Sequence, residues 1–331
     1  MRLFRRLLSL LILAALLAGA GLAWLVLSPL PLASSPLDFQ VAPGSSARST
    51  ARQVADAGVG LNPVAFEILV RATRSAADLK AGSYEVEAGI SLWVLLQKLT
   101  RGDVSQSEIA LIEGWNFRQL RERLNAHPDL RHDSQGLSDQ EILQRIGAAE
   151  AHPEGLFFPD TYLFGKQSSD LDLLARAYRA MGKRLQAEWE RRAEGLPLQH
   201  PYQALILASI VEKETGKAAD RQQIAAVFVN RLRRGMLLQT DPTVIYGLGE
   251  SFDGNLRKAD LLADTPYNTY TRGGLPPTPI ALPGQGALQA ALHPAASSAL
   301  YFVARGDGSS HFSNSLEEHN QAVNRYQRRG R

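Results

Sequence analysis

The chain has 331 residues, with 36 Lys and Arg against 33 Asp and Glu, and it contains no cysteine. Three arginines, Arg2, Arg5 and Arg6, account for the excess positive charge, so the remaining chain is neutral. A neutral chain argues against nucleic-acid binding, which needs a concentrated basic surface, and the missing thiols exclude disulfide scaffolds, thiolate metal sites and cysteine nucleophiles.

The first predicted element is an uncharged apolar helix at residues 7–27. About 20 apolar residues in a helix suffice to cross the hydrocarbon core of a bilayer. Because basic residues stay on the cytoplasmic side, residues 1–6 are predicted to be cytoplasmic and the bulk of the chain periplasmic, with a single anchor in the inner membrane. The alternative is a signal peptide cleaved after residues 18–20, but the apolar run continues past that site.

A proline- and serine-rich stretch at residues 28–37 is predicted to be a linker. Residues 38–103 are predicted to form a small α+β module, with strands near 39–41 and 83–86. Helices are expected to begin near Thr50, after Asn62 and after Ser91.

The predicted architecture continues with a connecting α+β segment at residues 104–152, which contains a strand at 108–112 and a helix after Asn116. A larger mixed α+β domain is predicted at residues 153–331. It is expected to include an amphipathic helix at 171–186, a helix capped by Asp220, and a hairpin built from residues 301–303 and 311–312.

A buried helix is predicted between Pro201, which suits a helix start, and Gly216, which suits the position just past a helix end. Residues 204–211 are apolar on nearly every side. Glu214 continues an apolar stripe of this helix, whereas Glu212 faces elsewhere.

Burial and the negative end of the helix dipole would both raise the pKa of Glu214, as a general acid requires. The alternative is that Glu212 and Glu214 are solvated and paired with Lys213, Lys217 or Arg221.

The loops after residue 235 carry amides, hydroxyls and tyrosines with few charges. This inventory is typical of a groove that binds sugars through aromatic faces and hydrogen bonds. The candidate groove residues are Gln239, Thr240, Asp241, Tyr246, Asn268 and Tyr270, and Glu212 is included with them as a substrate-binding candidate. Alternatively, these loops are only turns, and the tyrosines edge the core. His293, His311 and His319 lack the spacing of a helical zinc motif, so no metal site is predicted.

Residues 208–215, Ala-Ser-Ile-Val-Glu-Lys-Glu-Thr, resemble the signature helix of the YceG-like family, the membrane-anchored endolytic murein transglycosylases. Further similar motifs follow in the family's order over nearly the whole chain. They lie at residues 154–162, 228–232, 238–247, 267–270, 274–280 and 291–294.

This resemblance implies cleavage of the β-1,4 bond from N-acetylmuramic acid to N-acetylglucosamine within nascent glycan strands. The muramyl C6 hydroxyl attacks C1 and leaves a 1,6-anhydro end, which would help to end strand growth near the peptidoglycan synthases. The family's catalytic residue matches Glu214, and Thr215 follows it as a Ser or Thr follows the acid of lysozyme-like transglycosylases; Glu212 is the rival. The resemblance also implies a LysM-like module at residues 38–103 and no metal or organic cofactor.

Two other functions stay open at this point. One is a muramidase that adds water and leaves reducing ends. The other is a non-catalytic, membrane-anchored scaffold that binds peptidoglycan through residues 38–103 and recruits synthases.

Overall fold

The computed structural model describes residues 2–328, so the predicted cytoplasmic start at Met1 and residues 329–331 of the predicted larger domain lie outside the described residues. The fold is mixed α+β. Two compact units make up the described chain. Unit 1 comprises residues 2–108, 129–131 and 163–168, and unit 2 comprises residues 109–128, 132–162 and 169–328.

The helices are α1 (Arg2–Leu27), α2 (Ala47–Asp56), α3 (Pro63–Ala72), α4 (Leu92–Arg101), α5 (Phe117–Asn125), α6 (Asp139–Ile146), α7 (Asp170–Glu190), α8 (Pro201–Glu214), α9 (Arg221–Arg233), α10 (Asp241–Leu248), α11 (Lys258–Leu262), α12 (Gln285–Leu292) and α13 (Leu316–Val323). The strands are β1 (Leu37–Val41), β2 (Gly82–Val86), β3 (Gln106–Ala110), β4 (Leu130–Arg131), β5 (Thr161–Gly165), β6 (Ser168–Ser169), β7 (Tyr301–Ala304) and β8 (Ser310–Ser313). Each sheet has two strands, and the pairs are β1–β2, β3–β5, β4–β6 and β7–β8.

The N-terminal helix α1 contains an apolar stretch, Leu10–Leu27, with a mean hydropathy of 2.6 and no buried part. Its length and composition are sufficient to cross a membrane, although a signal sequence passes the same test. The side chains of Arg2, Arg5 and Arg6, on which the predicted orientation rests, lie outside the described part of the chain.

Unit 1 is built around the antiparallel pair β1–β2, in which Phe39 lies opposite Tyr84. Their rings stack at 5.5 Å between centroids, and both are buried among apolar residues of α2, α3 and α4. The strands and helices predicted for this module are confirmed, with α2 beginning earlier than expected because Ser46 caps it by accepting a hydrogen bond from the backbone of Ser49.

The stretch predicted to be a linker is instead bonded to unit 1. The backbone N–H of Leu30 donates to the carbonyl of Ile90 (2.7 Å), and that of Gly60 donates to the carbonyl of Pro31 (2.7 Å). Leu30 and Leu32 pack against the core of the unit. A proline lacks the backbone N–H but keeps its carbonyl acceptor, so a proline-rich stretch can still form backbone hydrogen bonds. The leucines of this stretch also favour burial, and a flexible linker therefore does not follow from its proline and serine content.

In helix α8 every residue from 204 to 211 is buried, as the sequence predicts. It packs against α7, α9, α10 and α12. Ser209 is held inside this apolar helix because its hydroxyl donates to the carbonyl of Ile206 and accepts from the N–H of Ile280 (3.0 Å). The second bond ties the proline-rich loop before α12 to α8.

Three expectations for unit 2 differ from the structure in detail. Strand β3 ends at Ala110, and the next N–H, of Leu111, donates to the carbonyl of Asp160 instead of extending the strand. Helix α7 runs to Glu190. Asp220 precedes α9 but does not cap it, because its carboxylate accepts from the N–H of Ser310 at 2.7 Å. The predicted hairpin is confirmed as β7–β8.

Candidate active site

Glu214 is the last residue of α8 and is partly buried. Its Oε1 accepts a hydrogen bond from the hydroxyl of Thr240. No other group within residues 2–328 donates a hydrogen bond to this carboxyl. Burial is the main cause that raises the pKa of Glu214 to about 7; the Thr240 hydroxyl opposes this shift, and the nearby charge of Asp241 supports it. The carboxyl is therefore protonated in a large fraction of molecules near neutral pH, with Oε2 free to carry the proton.

Thr240 is fixed from both sides, so its hydroxyl has a defined direction. Its backbone N–H donates to Oγ1 of Thr269 (3.1 Å), and its carbonyl accepts from Oγ1 of Thr243 (2.8 Å). All three threonines are buried. Thr240 directly precedes α10, so this threonine cluster joins the start of α10 to the end of α8.

Asp241 and Tyr270 form the outer part of the same group. The Tyr270 hydroxyl donates to Oδ1 of Asp241 at 2.5 Å. Burial, followed by this bond to Asp241, raises the pKa of Tyr270, so the phenol stays neutral and remains a donor. Asp241 is exposed, while Tyr270 is partly buried. The structure thus brings together four of the predicted residues: Glu214, Thr240, Asp241 and Tyr270.

Glu212, the rival acid, faces a different environment. Its Oε2 accepts from the N–H of Gly284 (2.9 Å), and its Oε1 lies 3.7 Å from Nη2 of Arg221. Burial raises the pKa of Glu212, whereas the Gly284 N–H and Arg221 favour its charged form. Its side chain is only 7% exposed. One oxygen thus accepts a hydrogen bond from the residue before α12 and the other forms an ion pair with α9, which favours a role in holding the start of α12 against α8.

Asn268 and Gln239 contribute mainly to loop geometry. Asn268 is 1% exposed, and its amide donates to the carbonyls of Asp260, Leu261 and Ala263 while its oxygen accepts from the N–H of Tyr270. This arrangement leaves no side-chain group of Asn268 facing a groove. Gln239 is exposed and has a left-handed backbone (φ 52°); its side-chain oxygen accepts from buried Arg231 at 3.3 Å.

Unit 2 contains a cleft of about 840 Å³ that includes part of α10 in its lining, and we call it the Tyr246 cleft. It is lined by Gly114, Asn116, Phe117, Arg118, Gln119, Arg121, Asp139, His152, Pro153, Glu154, Lys213, Pro242, Ile245, Tyr246, Gly249, Glu250, Phe252, Tyr267 and Ile280. Glu214 is not part of its lining, but Lys213 and Pro242 are, and they are the chain neighbours of Glu214 and Asp241. Pro242, Ile245 and Tyr246 of α10 form part of one wall of the cleft.

The wall of the cleft contains a second buried carboxyl, Glu154, which is 2% exposed. Both of its oxygens lie within hydrogen-bond distance of the Phe117 N–H, at 3.0 and 3.2 Å, and its Oε2 also accepts from the hydroxyl of Tyr246 at 3.1 Å. Burial raises the pKa of Glu154 to about 7, and these donors oppose the shift. Tyr246, one of the predicted groove residues, is thus tied to a buried acid.

In the sequence, Glu154 stands out only as part of a family motif, and no role follows from it there. The local signal was weak, because a glutamate before a glycine in an aromatic-rich loop is typical of a turn. Its hydrogen-bond partners, Phe117 and Tyr246, are 37 and 92 residues away along the chain. Pairing at that separation cannot be inferred from periodicity.

The sequence profile of the YceG-like family matches residues 39–325. The endolytic murein transglycosylase of Bacillus subtilis (strain 168) is 31% identical over 311 residues, which cover 88% of this chain and 84% of that protein. The endolytic murein transglycosylase of Streptococcus pneumoniae serotype 2 is 27% identical over 315 residues, and the match spans 56% of its length. A crystal structure of a yceG-like protein from Listeria monocytogenes matches with a TM-score of 0.55 at 30% identity, covering 87% of this chain and 98% of that one.

Proposed function

The chain belongs to the YceG-like family, and on that premise we propose that it is an endolytic murein transglycosylase, the activity for which its Bacillus subtilis relative is named. It cleaves the β-1,4 bond between N-acetylmuramic acid and N-acetylglucosamine within nascent glycan strands and leaves 1,6-anhydro ends. The observation that carries this proposal is Glu214, a carboxyl at the end of a buried helix with its pKa raised to about 7.

Glu214 acts first as a general acid. Thr240 occupies Oε1, so Oε2 carries the proton and donates it to the departing glycosidic oxygen as the bond to C1 breaks. A group with a pKa near the working pH both holds the proton in the ground state and releases it readily, which is why the burial of this carboxyl matters.

The carboxylate that remains then acts as a base. It takes the proton from the muramyl C6 hydroxyl as that oxygen forms the new bond to C1, so Glu214 returns to its starting state. The substrate supplies the nucleophile, and its acetamido oxygen can shield C1 in between. Ordinary glycosidases need two carboxylates at a set separation, whereas this reaction needs one.

The remaining groove residues are assigned by position. Tyr270 and Asp241 border the acid, and Tyr246 forms an aromatic wall of the Tyr246 cleft against which a sugar ring can pack. Gln239, Thr240 and Asn268 shape the loops around them. Glu212 keeps α12 in place beside the acid.

The larger arrangement follows the predicted domains. Residues 7–27 anchor the chain in the inner membrane, with residues 1–6 cytoplasmic and the rest periplasmic. Residues 38–103 form a LysM-like, glycan-binding module. Residues 104–152 connect this module to the catalytic domain at residues 153–331, which contains a lysozyme-like catalytic helix. Cleavage close to the membrane would end strand growth near the synthases.

Cleavage of glycan strands in ¹⁸O-labelled water tests the reaction type. In the proposed reaction no water is added, so the newly formed muramyl ends should contain no ¹⁸O and should be anhydro ends. A muramidase would place the label in new reducing ends. A scaffold without catalytic activity would leave strand lengths unchanged, and either result would overturn the proposal.

A further inference from the structure

The bonding of Glu154 differs from that of an ordinary buried glutamate. It accepts from the first backbone N–H of α5, at Phe117, where the N–H groups of a helix lack internal partners and favour negative charge. The cap residue Asn116 and Gln119 bond each other at this helix start, so the Phe117 N–H is left for Glu154. The carboxyl is thereby fixed to α5.

The other partner of Glu154 is Tyr246 on α10, whose hydroxyl donates to Oε2. The Tyr246 ring also packs edge-on against Tyr267, with 4.9 Å between centroids, and the Tyr267 hydroxyl bonds Oγ1 of Thr278 at 2.8 Å. These contacts come from three separate segments of unit 2. Together they set the plane of the Tyr246 ring, which is partly exposed to the cleft.

A neutral side chain could not make the same set of bonds. Both carboxylate oxygens of Glu154 act as acceptors, one of them shared by the Phe117 N–H and the Tyr246 hydroxyl. A glutamine would point its NH₂ group either at the Phe117 N–H, which cannot accept, or at the Tyr246 hydroxyl, whose hydrogen bond would then have to reverse its direction. The costly burial of a carboxyl is therefore explained if the orientation of Tyr246 depends on it.

We propose that Glu154 is a positioning residue that orients the Tyr246 ring as a sugar-binding wall of the Tyr246 cleft. The glycan strand extends from Glu214 past Lys213 and Pro242 onto this ring, so Glu154 contributes to the affinity for the strand and not to bond cleavage. This inference rests on the proposed function, because it takes the occupant of the cleft to be a glycan.

The test is a double-mutant cycle on the full-length chain in detergent, with Glu214→Gln present so that no turnover occurs. The measured quantity is the Kd for purified, uncrosslinked peptidoglycan glycan strands. Glu154→Gln should raise this Kd about tenfold, the loss expected when one hydrogen bond no longer orders the binding surface. Tyr246→Phe, which removes only the hydroxyl, should have the same effect.

The double variant should bind no more weakly than either single variant, because both changes remove one interaction. Glu188→Gln is the matched control: Glu188 is 5% exposed in the same unit, accepts from Gln285 and does not line the cleft, so its Kd should stay within about twofold. If Glu154→Gln unfolds the chain, Tyr246→Phe alone still has to weaken binding.

An unchanged Kd in Glu154→Gln or Tyr246→Phe would overturn the proposal, and so would independent, additive losses. With Glu214 intact, Glu154→Gln should raise KM and keep kcat within about twofold; a collapse of kcat at constant KM would mean that Glu154 contacts the reacting atoms. Failure of the wild-type chain to form anhydro ends would instead reject the proposed function. The double-mutant cycle measures only the Kd for glycan strands, so its result would still test the role of Glu154 in binding.

Discussion

Two glutamates of unit 2, Glu154 and Glu214, have pKa values raised to about 7, and burial is the main cause in both. They differ in the donors that face them. Glu154 accepts from a backbone N–H and a phenol, whereas Glu214 accepts from one threonine hydroxyl and lies near the negative charge of Asp241. Oε2 of Glu214 accepts no hydrogen bond from residues 2–328 and can hold a proton for transfer, whereas both oxygens of Glu154 face donors, so we propose the chemistry for Glu214 and the positioning for Glu154.

The pH dependence of the reaction should follow the proton on Glu214. Because the acid form is required, kcat/KM should fall as the pH rises through about 7. Asp241→Asn removes a charge that raises this pKa and should move the fall to lower pH. Thr240→Val removes a donor that stabilises the carboxylate and should move it to higher pH. Initial rates of anhydro-end formation across pH would measure both shifts.

The two variants should shift the pH profile of kcat/KM in opposite directions. A general loss of folding would lower the rate of both variants without shifting their profiles in opposite directions. Identical profiles for wild type, Asp241→Asn and Thr240→Val would mean that Glu214 is not the titrating group.

At the same scale, the sequence was sufficient to predict the partly buried position of Glu214 at the end of α8, but not the hydrogen-bond partners of Glu154 and Asn268. Glu214 could be predicted because helical periodicity extends an apolar stripe onto it. Asn268 is suited to sugar binding by its chemistry, yet the structure uses its amide within the loop, where it bonds three carbonyls. Residue type indicates what a side chain can bond, but only the fold determines which partners reach it.

Among the elements, helix α8 and the turn at Gly155 place the two acids. The burial of α8 follows from its sequence, because apolar residues on all sides leave no face for solvent. The turn at Gly155 follows from close approach: its φ is +78°, and a Cβ there would lie 2.4 Å from Cβ of Pro279. The sequence indicates a turn at this glycine but not its tight packing against a distant proline.

Gly155→Ala should therefore destabilise unit 2. The left-handed backbone and the clash with Pro279 together should cost about 2–4 kcal/mol in the free energy of unfolding. Gly182→Ala is the control, because Gly182 lies inside α7 with no atom within 4 Å of the added methyl group. This variant should be more stable than wild type by about 0.5–1 kcal/mol in the free energy of unfolding. Urea unfolding of the two variants measures both changes, and a neutral Gly155→Ala would show that the turn is not constrained.

For the whole molecule, the sequence predicted a mixed α+β chain behind an apolar N-terminal helix, and the structure confirms both features. The division into units could not be predicted in detail. Residues 129–131 and 163–168 belong to unit 1 although they interrupt the sequence of unit 2, and a linear reading of composition assigns them to their sequence neighbours. The stretch Leu10–Leu27 is long and apolar enough to cross a membrane.

Membrane association should depend on that helix alone. The intact chain should sediment with membranes, and mass spectrometry should show that its N-terminal residues are retained. A variant lacking residues 2–27 should stay in the soluble fraction, since about 20 apolar residues supply the free energy of insertion. Alkaline phosphatase fused to the C-terminus should be active, as it is outside the cytoplasm. A mature chain that begins near residue 21 would identify a cleaved signal peptide, and an inactive fusion would reverse the orientation.

The most direct test of the account compares the glycan products of wild type, Glu214→Gln and Glu212→Gln by mass spectrometry. We expect 1,6-anhydro ends from wild type and from Glu212→Gln, and a loss of at least about 100-fold in Glu214→Gln, which keeps its fold and binds glycan but has no proton to give. Anhydro ends formed at the wild-type rate by Glu214→Gln would contradict the assignment of the acid to the end of α8.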